Sequence, residues 1–356
     1  MKDRIYICHT FYHVYISVLK ELVMPESARG GATLILSTMS NDFGSMTERA
    51  RESGLFEEVL LFDEKEDVTD ANVMKYHADK GNIVLNLLQR IKYTKLLGKL
   101  QEAYIPTDLK AFKDVYVYCD SDPIGYYLNY KKIKYHAIED GLNTLRHCDD
   151  ARYSNRGHFE LKAKMAAMNL IFIENGYSKY CIDMEVNDIS CLKYKKDNYV
   201  EVSRKELVSK LKEEDVHYLM DIFMEDSELL ISQLADIEQD KKRVMILSDP
   251  VCDLETRARI VRDIIEEYCK DAAVIIKPHP RDVLDYETEA FSDCIVLKGR
   301  FPMEMMNFIS ELHMDKVISI FTVVDDIEFA DETILLGPDF MDRYEDPEIH
   351  RQNEVI

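Results

Sequence analysis

The order of apolar runs along this 356-residue chain predicts an α/β fold made of two Rossmann-like halves, each a parallel sheet flanked by helices. Two observations carry the prediction. Apolar runs of strand length alternate with longer stretches whose apolar positions recur at helical spacing. The alternation comes in an early and a late series, separated by a long acidic helical region at 203–240.

In the first series IYICHT (5–10), ATLILST (32–38), EEVLLF (57–62), DVYVYC (114–119) and IKYHAI (133–138) read as strands. The amphipathic stretch NIVLNLLQRIKYTKLLGKL (82–100) reads as a helix between them. The second series opens with the strand VMILSD (244–249) and the helix ETRARIVRDIIEEYCK (255–270). AVIIKPHP (273–280), CIVLKG (294–299), KVISIF (316–321) and TILLG (333–337) read as further strands. PMEMMNFISEL (302–312) reads as a helix with Pro302 in its first turn, where a missing N–H costs nothing. The expected division is therefore a first domain over 1–240, including the helical linker, and a second over 241–356.

Apolar residues make up 46% and charged residues 31% of the chain, the balance of a globular protein with a sizeable core. No run approaches the ~18 consecutive apolar residues of a membrane span. The opening MKDRIYICHTFYHVYISVLKEL is broken by His9, His13 and Lys20, unlike a secretory signal, so a cytoplasmic location is expected. The formal charge of −22 argues against nucleic-acid binding, which needs clustered Lys and Arg, yet leaves an anionic substrate open. None of the eight cysteines pairs at the two-residue spacing of a zinc knuckle or redox dithiol; they read as reduced and structural. No Gly-x-Gly-x-x-Gly follows the first strand, which excludes the dinucleotide fingerprint of a dehydrogenase.

The sharpest local feature is Lys277-Pro278-His279-Pro280, directly after a buried strand. Ligands in open α/β sheets bind beyond the carboxyl ends of strands, and the flanking prolines fix the backbone around the imidazole. A histidine held there can give a hydrogen bond or a proton to a leaving phosphate, with Lys277 and Arg281 adding positive charge. The plain alternative is a loop that contains a histidine. IEDGLNTLRH (138–147) also follows a strand and sets Glu139 and Asp140 before Gly141. One carboxylate could take the proton of a hydroxyl, although Asp-Gly alone is an ordinary turn signal. His13, just past the first strand, reads equally as a substrate contact or as a satisfied histidine at a helix start. Asp120-Ser121-Asp122 has the spacing of a metal-binding carboxylate pair and reads better as a strand-end turn; no metal site is expected.

The acidic-acidic-Gly loop in the first half and the His-Pro loop in the second together resemble bacterial sialyltransferases of GT-B architecture. The nearest resemblance is to glycosyltransferase family 52, which includes lipooligosaccharide sialyltransferases. CHTFYHVYISVL resembles the family's first strand and loop, FPMEMM (301–306) its Pro-x-Glu segment, and VISIFTVV (317–324) its Ser/Thr-rich nucleotide loop. The resemblance implies two Rossmann-like domains facing each other across a cleft, the first on the acceptor side and the second binding CMP. It implies inverting, metal-independent transfer from CMP-sialic acid, a donor substrate and not a cofactor, to a hydroxyl of a cell-surface glycan. Glu139 is then the leading base with Asp140 second, and His279 is the acid. Lys277, Pro280, Glu304, Ser319 and Thr322 serve the nucleotide, while His13 and Gly141 serve the substrate.

Two departures accompany the resemblance. The family often has adjacent hydroxyls in its phosphate loop, where this chain has Ser319-Ile320-Phe321-Thr322. Some members draw the base from just before the His-Pro loop, where Asp249 and Asp253 stand here, residues that read as caps of the following helix. The altered loop keeps open a donor such as UDP-hexose, CDP-glycerol or CMP-Kdo. A non-catalytic protein that binds glycan or nucleotide is the reading from another class. The expected partners are a nucleotide-sugar donor and a glycan acceptor, with no nucleic acid. Residues 82–100 are the candidate for peripheral contact with the inner membrane face, and 203–240 for a homodimer seam.

Overall fold

The computed structural model describes residues 2–349 apart from 77, 79, 119, 142–144, 146–154, 226, 239, 299, 311, 323, 325 and 326. The chain divides at Asp215/Val216 into two compact units.

In the first unit β1 (Lys2–Cys8), β2 (Ala32–Ser37), β3 (Glu58–Phe62), β4 (Phe112–Tyr118), β5 (Tyr135–Ile138), β6 (Cys181–Val186) and β7 (Tyr199–Glu201) form one sheet in the order β3-β2-β1-β4-β5-β6-β7. Every pairing is parallel. The helices are α1 (Phe11–Leu22), α2 (Met46–Glu52), α3 (Ala71–Met74), α4 (Ile83–Leu100), α5 (Pro123–Lys131), α6 (Phe159–Ala167) and α7 (Arg204–Ser209). The continuous apolar reading of the strands reflects burial on both faces, as a parallel sheet requires. Ile5, Ile7, Ile35, Val115, Val117 and Tyr135 share one core cluster. The order reverses at β1, which pairs with β2 on one side and β4 on the other. Such a switch point splays the following loops apart and makes room for a ligand.

α8 (Glu213–Phe223) runs across the division, and α9 (Ser227–Ala235) belongs to the second unit. There β8 (Lys242–Leu247), β9 (Ala272–Lys277), β10 (Ile295–Val296), β11 (Met314–Ser319) and β12 (Ala330–Leu335) make a parallel sheet in the order β10-β9-β8-β11-β12. α10 (Leu254–Tyr268) follows β8, and α11 (Gly337–Met341) follows β12. Ile260 and Ile264 of α10 pack on Val244, Ile246, Ile276 and Ile318 of the sheet. The switch point lies between β8 and β11, so both units repeat one plan.

The sequence expectation set the domain boundary at 240/241, whereas the compact units part at 215/216. Arg243 before the core of β8 donates from Nη2 to Leu234 O of α9 at 3.0 Å, one of the bonds that hold the linker helices to the second unit. Among the described residues the helical region 203–240 comprises α8 and α9 together with α7. β6 escaped the sequence reading because Asp183 and Glu185 interrupt its apolar pattern, and β7 because it is only three residues long. Asp183 is bonded to His136 Nδ1 at 2.8 Å, and Glu185 is paired with Lys20 Nζ at 2.5 Å. The helix expected at 302–312 is instead a 3₁₀ segment, Met303–Phe308. Pro302 before it is extended, no side chain caps its start, and its buried contacts fall on the consecutive Met305 and Met306. α4 leaves Val84, Leu85 and Leu88 exposed, and no helix among the described residues is long and apolar enough to cross a membrane.

Candidate active site

In the first unit the chain leaves β1 through His9 and Thr10. Thr10 caps α1, its Oγ1 accepting the His13 N–H at 3.2 Å. This turn buries both histidines beside one another, with ring centroids 6.0 Å apart. His9 Nε2 meets Glu64 Oε2 at 2.7 Å and lies 3.5 Å from Asp122 Oδ2. Burial opposes its charge, but these carboxylates outweigh it and raise its pKa to about 9, so His9 is a buried imidazolium at neutral pH. Glu64 is itself fixed by Ser37 Oγ at 2.7 Å and the Ile124 N–H at 2.6 Å.

His13 differs. Its Nδ1 accepts the His9 backbone N–H at 3.0 Å, its ring stacks on Tyr118 at 4.5 Å, and its Nε2 contacts Asp140 Oδ1. Burial drives its pKa below the ordinary histidine value despite Asp140, with His9 and Arg204 pushing the same way as burial. A neutral ring with Nδ1 accepting carries its proton on Nε2, so His13 donates to Asp140. The Asp140 side chain is 39% exposed, while Glu139 is only 4% exposed and hydrogen-bonds through its N–H to Glu185 O at 3.0 Å. Gly141, at φ 135°, holds a backbone conformation that side chains disfavour and lets the chain turn directly after this pair.

In the second unit Asp249, beyond β8, ties the switch point together. Its Oδ2 accepts the N–H groups of Ile320 and Phe321 at 3.2 and 3.1 Å, and its Oδ1 accepts Thr322 Oγ1 at 2.7 Å. Ser319 Oγ donates to Thr322 O at 2.7 Å. At the end of β9, buried Lys277 gives its ammonium to Pro278 O and Phe301 O, both at 3.0 Å, and lies 4.1 Å from the centre of the Phe301 ring. Burial pulls its pKa down to about 7, opposed by Glu304. The next loop is pinned by a buried network. Arg257 Nη1 donates to Asp282 Oδ1 at 2.6 Å, Ser248 Oγ donates to Asp282 Oδ2 at 2.6 Å, and Ser248 Oγ accepts the His279 N–H at 3.0 Å. The Arg281 N–H donates to His279 Nδ1 at 3.1 Å. Burial, with Arg281 and Lys277, lowers the His279 pKa to about 4. The result is a neutral imidazole with its proton on Nε2, held by backbone rather than by a flexible partner.

The sequence model of glycosyltransferase family 52 matches residues 65–324, more than half of the chain. The chain belongs to glycosyltransferase family 52. No curated protein matches it. Among solved structures it is similar in fold to the 2,6-sialyltransferase of Photobacterium sp. JT-ISH-224, at TM-score 0.55 and 10% identity over 99% of this chain and 76% of that one. It is also similar to the α/β-galactoside α-2,3-sialyltransferase of Photobacterium phosphoreum, at TM-score 0.51 and 11% identity over 93% and 90% of the two chains. A third is a sialyltransferase of Photobacterium damsela, at TM-score 0.51 and 12% identity over 99% and 78%. The architecture of this glycosyltransferase is GT-B, two Rossmann-like units.

Within the family 52 chain the expected residues fall into two groups. His13, Glu139, Asp140 and Gly141 meet at the carboxyl end of the first sheet; Lys277 and Ser319 end strands of the second, and His279, Pro280, Glu304 and Thr322 follow its strands. Both nitrogens of His13 are engaged at the start of α1. Asp253 caps α10, accepting the Thr256 N–H at 2.9 Å, but Asp249 is a loop tie and not a cap. It sits too early to reach the helix start and is claimed by the loop after β11. Asp120 is bonded by the N–H groups of Asn175 and Gly176 at 2.5 and 3.2 Å, and Asp122 stands at the N-cap position of α5 without a side-chain cap bond, so the pair lies in the turn between β4 and α5. The sequence reading missed His9, Ser248, Arg257 and Asp282. Only the RD after KPHP and the SD before α10 hinted at the second network, and neither dipeptide is distinctive by itself.

Proposed function

We propose that this glycosyltransferase is an inverting, metal-independent sialyltransferase, moving sialic acid from CMP-sialic acid to a hydroxyl of a cell-surface glycan of the lipooligosaccharide or capsule type. The observation that carries this reading is the His279 loop, where a neutral imidazole with Nδ1 occupied presents Nε2–H beyond β9. As CMP leaves, charge grows on its phosphate. A fixed N–H donor meets that charge without reorganisation, and Lys277 supplies positive potential beside it. An incoming phosphate would also raise the His279 pKa, turning a donor into an acid during the reaction. Asp140 is assigned the removal of the acceptor proton, since its carboxylate is exposed and oriented by His13. A single displacement by that hydroxyl at the anomeric carbon inverts its configuration. The Photobacterium 2,6-sialyltransferase was solved with the donor product CMP and the acceptor lactose, which supports a search among these ligands.

The test is calorimetric titration of CMP, CDP and UDP with and without magnesium, followed by turnover of CMP-sialic acid with lactoside acceptors. Metal-independent CMP binding and a sialylated product are expected. A preference for UDP or CDP would overturn the sialyl donor. One observation favours that second reading, a GT-B transferase with another donor such as UDP-hexose, CDP-glycerol or CMP-Kdo. The Ser319 and Thr322 hydroxyls both give their protons to internal acceptors.

A further inference from the structure

Arg204 opens α7 directly after β7, with its side chain buried and the whole residue 7% exposed. Its Nη1 donates to Val202 O at 3.0 Å, and its N–H donates to Asn187 Oδ1 at 2.8 Å. Among the described residues its Nε and Nη2 have no hydrogen-bond partner, and both are closed to solvent. A buried guanidinium edge without an acceptor is costly, and native chains seldom leave one.

The chain shows elsewhere what such an edge takes. Arg4 uses the same two nitrogens, Nε and Nη2, on the two oxygens of the Glu21 carboxylate, both at 2.6 Å. That side-on fork matches a carboxylate or a phosphate, although Arg257 and Arg51 spend the same two nitrogens on backbone carbonyls. Arg204 has no such carboxylate among the described residues, yet it does not lie at random. Its charge acts on His13 and Tyr118, the stacked pair that carries Asp140, and on Lys20 of the packed α1. Asp140, the partner of His13, stands 39% exposed, so this end of the sheet is reached from solvent.

We propose that the Nε/Nη2 edge of Arg204 is the seat of a sugar carboxylate bound by the first unit, taken up when the ligand displaces the packing over that edge. The proposal rests on the function proposed above, because sialic acid bears a carboxylate on its anomeric carbon. The same acid group could arrive on the donor or on an acceptor that is already sialylated.

The experiment compares N-acetylneuraminic acid and glucuronic acid with their methyl esters by saturation-transfer NMR and titration on the full chain. The wild type is expected to hold each acid at least ~10-fold more tightly than its ester. Arg204→Gln should erase that preference, and Arg204→Lys should lose most of it because an ammonium lacks the fork. Arg204→Met should melt no lower than the wild type, since it removes an unsatisfied buried cation, whereas a structural ion pair would lower the melting temperature. Equal binding of acid and ester by the wild type, no binding of either, or a preference retained in Arg204→Gln would overturn the proposal. CMP titration of the same samples keeps the two readings apart. Loss of CMP binding in the wild type strikes the sialyl donor, while intact CMP binding without acid preference strikes only Arg204. In turnover, a raised KM for CMP-sialic acid in Arg204→Gln assigns the carboxylate to the donor. A raised KM confined to a sialylated acceptor assigns it to the acceptor, and a fall in kcat with both KM values unchanged would overturn the site.

Discussion

The backbone N–H of His9 donates to His13 Nδ1 at 3.0 Å and thereby commits the His13 ring proton to Nε2, the nitrogen that meets Asp140. One turn after β1 thus fixes the tautomer of a side chain whose partner lies beyond β5, more than a hundred residues away. Because burial keeps His13 neutral, Asp140 is oriented by a hydrogen bond without being neutralised by a full positive charge.

Asp140→Asn is therefore expected to lower kcat by ~10²–10⁴ with the donor KM little changed, the usual worth of a positioned general base. Glu139→Gln should fall less, because that side chain is buried at the strand end rather than presented to solvent. Steady-state kinetics of the two variants decide the base, and the reverse order would move the role to Glu139. His13→Gln, which changes only how Asp140 is held, should lie between wild type and Asp140→Asn.

His279 gives the stability a pH dependence of definite sign. Its folded pKa of about 4 lies below the ~6.5 of an unfolded histidine, so on acidification the unfolded chain takes the proton first. Its contribution is complete above pH ~6.5 and is lost as the pH falls towards 4. Urea melts of wild type and His279→Gln at several pH values should show the difference in stability moving in favour of the variant over that window. Parallel profiles would mean that the imidazole is not held neutral.

Asp249 is buried, and burial raises its pKa against the pull of the Phe321 N–H, the Thr322 hydroxyl and the Ile320 N–H. Asp249→Ala strands those donors at a cost of about 1–3 kcal/mol for each that water cannot reach. Asp249→Asn keeps an acceptor oxygen and loses less. Thermal melts should rank wild type above Asn above Ala. CMP affinity should follow the same order, because the loop after β11 is released together with its tie.

The fold was legible because parallel strands buried on both faces write continuous apolar runs into the chain, as in Ile5–Cys8 and Val274–Ile276. β6 was not, since Asp183, bonded to His136, and Glu185, paired with Lys20, stand inside the strand and break the run. The KPHP and EDG loops were legible because prolines, glycine and acids mark their sequence. His9 and Arg257 were not, since their roles depend on Glu64, Asp122 and Asp282, partners that only the folded topology brings to them.

The network behind His279 separates positioning from stability. Asp282 is buried and accepts from Arg257, Ser248, Tyr286 OH at 2.9 Å and the Leu284 N–H at 3.0 Å, so its charge is fully met. Removing one partner of such a buried pair typically costs ~3–5 kcal/mol, and Arg257→Ala should melt far below the wild type. Ser248 is different in kind. Its hydroxyl is the link between Asp282 and the His279 backbone, and losing it leaves Asp282 with Arg257, Tyr286 and Leu284. Ser248→Ala should therefore cost only about 1 kcal/mol in stability, yet slow turnover several-fold, because the His279 loop is no longer anchored to the network. Comparing melting temperature with kcat across these two variants checks the assignment. A Ser248→Ala enzyme with wild-type turnover would show that the prolines alone hold the imidazole in place.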